Sequence, residues 1–177
     1  MTDLTKGSEL KGLFVFALPI FLGNLFEQLY NVTDTAIVGN FLGAEKLAAV
    51  GSSTQIVALT VSVSTGMSIG ASVIISQLYG AKRNQNMKEV VDTNLIFICL
   101  FSFFLMIFGL LYSPVFLEHL NVPAGLLSDA NAYLQTILLG LPFLFAYNTL
   151  ANVLRGLGDS KTPTFILISS VFLNVLL

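Results

Sequence analysis

The chain has 177 residues, of which 55% are hydrophobic and only 10% are charged, and its formal net charge is −2. A water-soluble domain usually carries about 25% charged residues, so this composition argues against a soluble globule and against a disordered tail. The chain also has no basic field that would hold a nucleic acid as a partner.

Long uncharged segments predict helices that cross a lipid bilayer. Between Lys46 and Lys82 lie 35 residues without a charge, and the uncharged segments 93–117 and 130–154 have 25 residues each. About 20 apolar residues are enough to cross the hydrocarbon as a helix. The sequence therefore predicts an all-α, polytopic transmembrane bundle over 13–177 that follows a short segment 1–12, with five spans at 13–40, 48–78, 90–112, 128–154 and 163–177.

The first predicted span carries an acidic face. Four polar residues lie within about 60° of Glu27 on a helix of 100° per residue; they are Asn24, Tyr30, Asn31 and Asp34. An ionised side chain at the bilayer centre costs about 2.5 to 3.5 kcal/mol on insertion scales. Two acids on one face therefore need protons, a small cation held with neutral oxygen donors, or a basic partner. The predicted spans contain no basic residue, which favours ion coupling over a structural polar cluster.

Pro19 lies in the same span, 15 residues before Asp34. Proline within a helix frees a carbonyl group and permits a bend. Because protonation changes the cost of placing Asp34 in apolar surroundings, a bend beside this face would make a switch. The sequence thus predicts a hinge at Pro19.

The second predicted span has two rows of small residues, each repeating every four positions. One row begins at Ala58 and contains Gly66 and Gly70; the other begins at Thr60 and contains Ser64 and Ser68. Small residues allow helices in lipid to approach closely. We expect this helix to be packed on more than one side, with serines lining an aqueous path as the alternative.

Proline and glycine mark the remaining boundaries. Pro114 and Pro123 are expected to bracket the third link. Because membrane helices tolerate proline well, span four is expected to contain Pro142 without a kink, and a kink there is the alternative. Thr162 is expected to cap the fifth helix, with Pro163 in its first turn. The 16 uncharged residues after Lys161 cover about 24 Å, so this span is expected to be truncated and the chain to be a fragment.

The basic residues predict the orientation. Seven of the eight fall on one side of the five predicted spans, and only Lys46 falls on the other. The positive-inside rule then places segment 1–12 in the cytoplasm, in a multi-pass protein of the cell membrane.

Three segments together resemble a known family. They are Leu18-Pro19-Ile20 with the following segment 25–39, Gln77-Leu78-Tyr79-Gly80-Ala81, and the link 154–163, which reads Leu-Arg-Gly-Leu-Gly-Asp-Ser-Lys-Thr-Pro. Taken together, these segments resemble the multidrug and toxic compound extrusion (MATE) transporters. The resemblance extends over essentially the whole chain. The resemblance implies a twelve-helix antiporter of two six-helix lobes, of which this chain is an incomplete first lobe of about five helices. It also implies export of organic, often cationic compounds in exchange for Na⁺ or H⁺.

The resemblance also implies roles for individual residues. Asp34 resembles the acid that couples transport to H⁺ or Na⁺ and is the candidate Na⁺ ligand, Tyr30 and Asn31 lie on its face, and Asn174 resembles an asparagine of the fifth span. Glu27 departs from the family, in which glutamine is usual at this position. Asn24, Asn148 and Asn152 are candidate residues of the substrate cavity, and Pro19 is the candidate bend.

The chain is therefore expected to belong to a transporter and not to an enzyme. No cofactor is expected, and Na⁺ or H⁺ is the expected coupling ion. Its expected partners are organic cations, the bilayer and a missing C-terminal lobe. Two alternatives stay open. A lipid-linked polysaccharide flippase of the same superfamily would share the architecture but is expected to have a more basic cavity. The other alternative is a non-transporting membrane protein, either a structural subunit or a hydrolase that uses Glu27 and Asp34. The two acids are seven positions apart on one helix, about 10 Å along its axis, which is too far for most direct chemistry by a carboxylate pair.

Overall fold

The structure is a computed structural model that describes residues 9–176, apart from some side chains within that range. The side chains outside the description are those of Glu9, Asp34, Leu42, Glu45, Lys46 and residues 174–176. Of the predicted cytoplasmic segment 1–12, residues 1–8 lie outside the described range. The regular secondary structure of the described residues is helical, which confirms the predicted all-α class.

Within residues 9–176 the chain forms six α-helices and one π-helical turn. They are α1 (Glu9–Ile37), the π-helical turn (Val38–Leu42), α2 (Gly43–Gly80), α3 (Asn84–His119), α4 (Leu127–Leu139), α5 (Leu141–Gly156) and α6 (Lys161–Leu176). In this part of the chain, α1 with its turn, α2 and α3 are long and apolar enough to cross a membrane, and α4 with α5 passes the same test as a bent pair. α6 is a shorter apolar helix.

The predicted span 128–154 consists of two helices that meet at an angle of 46°. The break lies at Gly140, and Pro142 follows in the first turn of α5. Proline has no N–H to donate to the carbonyl oxygen of Leu138, four residues earlier, so the helical ladder is interrupted there. The expectation that span four contains Pro142 without a kink is therefore wrong, and the structure has the alternative, a bend.

α3 continues through Pro114 to His119, beyond the predicted span end at 112 and into the predicted third link. Pro114 cannot donate to the carbonyl oxygen of Leu110. The Ser113 hydroxyl lies 3.4 Å from that oxygen but donates to Asn131 Oδ1 of α4 at 2.6 Å. α3 therefore runs through the proline and is joined to α4 at this level by the Ser113 hydroxyl.

The two rows of small residues on α2 have different surroundings. Ser64 and Ser68 are buried, and their row contacts α5. For Gly66 and Gly70, no heavy atom of the described residues, other than the helix itself, lies within 4 Å of the position that a Cβ atom would take. One row therefore forms a helix interface, and the other lines open space.

The bundle contains two packed groups. α1 packs along α6, whereas α2, α3, α4 and α5 pack against one another around a core that includes Ile98, Leu134 and Phe145. The two groups are joined by the π-helical turn before α2 and by the link between α5 and α6. Each joint contains a glycine with positive φ, Gly43 at 85° and Gly158 at 86°. A side chain is rarely tolerated in that backbone conformation.

Candidate functional site

The acidic face of α1 forms one wall of a cleft of about 220 Å³. α1 contributes Glu27, Tyr30 and Asn31, and α6 contributes the opposite wall, which contains Ser170. The carboxylate, phenol, amide and hydroxyl supply oxygen atoms, the donor type that hard cations prefer. The helical spacing of 27, 30 and 31 explains why the three α1 side chains share a wall.

α6 lies close to α1 because small groups meet at the contact. A Cβ atom at Gly23 would lie 3.3 Å from both Thr164 Cγ2 and Leu167 Cδ2. The Thr164 hydroxyl lies 3.2 Å from the carbonyl oxygen of Pro19 and 2.9 Å from that of Ser160. The contact therefore includes a hydrogen bond that reaches the backbone of the predicted hinge residue.

The acidic face is mostly open in the described structure. Glu27, Asn31 and Asn24 are exposed, while Tyr30 is partly buried. Asn24 lies on α1 outside the lining of the cleft. Asn31 also lines a second cleft of about 490 Å³, between the end of α1 and the start of α2. The polar face is thus accessible from two sides of α1.

Two candidate residues have described backbones only. Asp34 belongs to α1, one turn after Tyr30, and Asn174 belongs to the last turns of α6. Their side chains lie outside the described residues. α1 and α6 are in contact, so the helices that carry the two residues are neighbours.

The amides of α5 form hydrogen bonds at the contact with α2 or within α5. Asn148 Nδ2 donates to the Ser64 hydroxyl at 3.2 Å, and Asn152 Nδ2 donates to the Asn148 carbonyl oxygen at 2.8 Å. The Ser72 hydroxyl donates to the Asn152 carbonyl oxygen at 2.8 Å. Asn152 is only 7% exposed. The structure brings these residues together with the serine row of α2, and they do not line the cleft beside Glu27.

The link between α5 and α6 is held by its aspartate. Asp159 accepts hydrogen bonds from the Thr162 hydroxyl at 2.7 Å and from the backbone N–H groups of Thr162 and Lys161, both at 3.1 Å. The Thr162 hydroxyl, followed by its backbone N–H, holds the pKa of Asp159 below its ordinary value. Asp159, and not the expected Thr162, supplies the capping side chain of α6.

Thr164, Leu167 and Ser170 on α6 are site residues that were not predicted from the sequence. A signal was present, because Thr164, Leu167 and Val171 follow the i, i+3, i+7 spacing of a helix contact. That spacing alone does not identify the partner helix, which lies about 145 positions away in sequence.

Comparison with known proteins identifies the family. The family model MatE matches residues 19–177. Two proteins of Bacillus subtilis (strain 168) are similar over nearly the whole chain: the probable multidrug resistance protein YoeA is 32% identical over 98% of this chain, and the probable multidrug resistance protein YpnP is 34% identical over 99%. The chain spans 37% and 39% of those relatives, respectively.

Solved structures show the same fold. The chain superimposes on MATE in the bent conformation with a TM-score of 0.89 and on MATE in the straight conformation with a TM-score of 0.91, each at 24% identity. The match to the bent conformation covers 97% of this chain and 38% of that structure's chain. The match to the straight conformation covers 99% of this chain and 39% of that structure's chain. These matches confirm the predicted fold, an incomplete first lobe. The chain belongs to the MatE family of multidrug and toxic compound extrusion transporters and corresponds to their N-terminal part.

Proposed function

We propose that the protein containing this chain exports organic cations by secondary active transport, in exchange for Na⁺ or H⁺. The observation that carries this proposal is the cleft between α1 and α6, which Glu27, Tyr30 and Asn31 line with oxygen donors. The names of the relatives, which describe multidrug resistance, support drug export as the process. They do not favour the flippase alternative.

The chemistry of the cleft supports coupling to a cation. A carboxylate in hydrocarbon is costly unless a proton, a cation or water neutralises or solvates it. Glu27 on the exposed wall and Asp34 one turn beyond Tyr30 place two such groups on the same helix. In the proposal, Asp34 exchanges H⁺ or Na⁺ as the transported counter-ion, and Tyr30 and Asn31 provide neutral oxygens beside it.

The surroundings of Pro19 support a conformational step. Proline weakens the α1 ladder at this level, and the hydroxyl of Thr164 bonds the carbonyl group of Pro19 from outside the helix. Solved structures of MATE include a bent and a straight conformation. We infer that α1 alternates between two such shapes as Asp34 gains and loses its cation. A cation that binds one shape of α1 more tightly than the other shifts the equilibrium toward that shape, and the difference between its two affinities sets the size of the shift.

In the proposed cycle, cation binding to the acidic face and substrate binding alternate between the two sides of the membrane. Release of the cation leaves a charged face, which raises the cost of burying that face and favours the shape in which water reaches it. In this proposal the N-terminal segment is cytoplasmic, the membrane is the plasma membrane, and the substrate leaves outward.

The proposal is tested by measuring ethidium efflux from drug-sensitive cells that express the native gene, first with and without a Na⁺ gradient and then with and without a proton gradient. Export that requires the Na⁺ gradient or the proton gradient supports antiport. If the protein inserts normally into the membrane but the cells retain as much ethidium as cells without the gene, the result would contradict the proposal. A membrane protein without transport activity would give that second result.

A further inference from the structure

A tyrosine of α5 lies against the first turn of α6, where the α1–α6 pair meets the group formed by α2, α3, α4 and α5 (the four-helix group). The Tyr147 hydroxyl donates to the carbonyl oxygen of Pro163 at 3.3 Å. Tyr147 is partly buried, and Pro163 is fully buried. The hydrogen bond therefore connects two helices that belong to different packed groups.

The packing between α5 and α6 is slight. α6 packs extensively along α1, whereas its contact with α5 involves far fewer residues. Where two helices share so little packing, one hydrogen bond contributes strongly to the angle between them. The bond from Tyr147 to Pro163 is thus well placed to fix the angle between the two groups.

The α5 side of this contact is held in place by α2. Asn148 follows Tyr147 and donates to the Ser64 hydroxyl at 3.2 Å, and the Thr149 hydroxyl lies 3.3 Å from that of Ser68. Both serines and the threonine are buried. The backbone that carries Tyr147 therefore belongs to a tightly bonded contact between α2 and α5.

The α6 side follows a connection whose backbone angle can change. Gly158 lies five residues before Pro163 and has a φ of 86°, in a region that glycine enters freely. Thr164, directly after Pro163, contacts the carbonyl oxygen of Pro19 in α1. A change of backbone angle at Gly158 would move Pro163 away from Tyr147, and α1 would follow through Thr164.

The length of the hydrogen bond fits a contact that forms and breaks. Strong O–H···O hydrogen bonds measure about 2.5–3.0 Å, and the 3.3 Å between Tyr147 and Pro163 exceeds that range. Hydrogen bonds between membrane helices are also individually weak. Separating α6 from α5 therefore requires the loss of this bond and of a small contact, while the core of the four-helix group stays packed.

We propose that the Tyr147 hydroxyl and the Pro163 carbonyl group form a latch that holds the α1–α6 pair at one angle to the four-helix group. The latch opens before that angle changes at Gly158. Because Thr164 follows Pro163, the latch also fixes the position from which α6 contacts Pro19. The inference goes beyond the proposed export, since it concerns two groups of helices within this chain and depends on neither the substrate nor the coupling ion.

The test measures distances between pairs of nitroxide labels by pulsed electron paramagnetic resonance, on the purified 177-residue chain in phosphatidylcholine nanodiscs. Cys99→Ser first removes the single cysteine of the chain. One label pair, Leu100→Cys on α3 and Phe165→Cys on α6, reports the distance between the groups. The other pair, Leu59→Cys on α2 and Leu111→Cys on α3, reports a distance within the four-helix group. All four labelled side chains are exposed, so the labels leave the packing intact.

Tyr147→Phe removes the donor and keeps the ring. It is expected to raise the population of a second distance between the groups about threefold, the ratio that corresponds to an average hydrogen bond between membrane helices. The distance within the four-helix group is expected to stay the same. Tyr112→Phe is the matched control, because Tyr112 is an exposed tyrosine of α3 outside the α5–α6 contact. It is expected to leave both distances unchanged.

If the distances between the groups are the same with Tyr147 and with Tyr147→Phe, the proposal is overturned. A change in both label pairs, or a loss of helix content by circular dichroism, would show that Tyr147 supports the whole bundle and not one angle, and it would overturn the proposal as well. The measurement involves no transport, so failure of the latch and failure of the proposed export are separate results.

Discussion

The hydroxyl of Thr164 lies 3.2 Å from the carbonyl oxygen of Pro19, and it joins α6 to the predicted hinge of α1. The same hydroxyl lies 2.9 Å from the carbonyl oxygen of Ser160 in its own helix. Because a hydroxyl has a single proton to donate, these two carbonyl oxygens compete for it. α6 therefore contacts the backbone of α1 at the level of its proline.

Replacing Thr164 tests this contact. Thr164→Val keeps the shape but loses the donor, and we expect a loss of about 0.6 kcal/mol, with about 1.7 kcal/mol as the upper limit, in line with hydrogen bonds between membrane helices. Thr164→Ser keeps the donor and is expected to retain most of the stability. Unfolding of the purified chain in detergent measures both. Equal stabilities of the Val and Ser variants would show that the hydrogen bond contributes nothing.

A larger side chain at Gly23 is expected to separate α1 from α6. Its Cβ atom would already lie 3.3 Å from Thr164 and Leu167, so Gly23→Leu overpacks the contact and is expected to cost about 1–3 kcal/mol. Gly51→Leu is the matched control, because no described heavy atom outside its own helix lies within 4 Å of that Cβ position. Unfolding measurements in detergent compare them, and a Gly23 variant as stable as the control would contradict the close contact.

Asp34→Asn is expected to abolish efflux while membrane insertion is retained, since the amide keeps the size of the side chain but cannot exchange a proton or balance a cation. Ethidium efflux and membrane fractionation measure the two properties. Asp92→Asn, on the exposed part of α3, serves as the control and is expected to transport normally. Wild-type efflux in the Asp34 variant would end the coupling hypothesis.

Pro19→Ala is expected to slow turnover and to change substrate affinity little. Alanine restores the N–H that proline lacks, so the helix gains a bond that resists bending. Equilibrium binding and flux measured on the same preparation separate the two effects. Unchanged turnover would remove the hinge role from Pro19.

The Asp159 cap predicts a dependence of stability on pH. Its pKa is lowered in the folded chain, mainly by the Thr162 hydroxyl, so its contribution is present above the unfolded-state pKa of about 3.9. The contribution is lost as the pH falls through the lower folded-state pKa. Asp159→Asn is expected to flatten the acid part of the stability curve. Unfolding curves from pH 6 downward compare the two proteins, and parallel curves would contradict the prediction.

The acidic face of α1 could be predicted from sequence because Glu27, Tyr30 and Asn31 are close in the chain and helical periodicity alone places them together. Its opposite wall could not, because the pairing of α1 with α6 depends on the packing of small groups such as Gly23 and Thr164 far apart in sequence. Asn148 and Asn152 show the same limit. They were expected in the substrate cavity, and only packing revealed that they meet the serines of α2.

Helix ends followed a similar division. The all-helical class followed from local chemistry, whereas the bend near Pro142 did not, because membrane helices also tolerate proline without a kink. The passage of α3 through Pro114 did not either, since proline is typical of a boundary between helices and the sequence does not show that the helix continues to His119. The family resemblance supplied the lobe, which composition and periodicity alone would have left as an unspecified bundle.

The glycines with positive φ at Gly43 and Gly158 stand at both connections between the α1–α6 pair and the four other helices. A rotation about these two glycines would carry α1 and α6 together as one unit, with the Thr164 bond to Pro19 unbroken and the open cleft moving with them. Alanine at both positions would strain these connections, because a side chain is rarely tolerated at positive φ, without changing a group that lines the cleft.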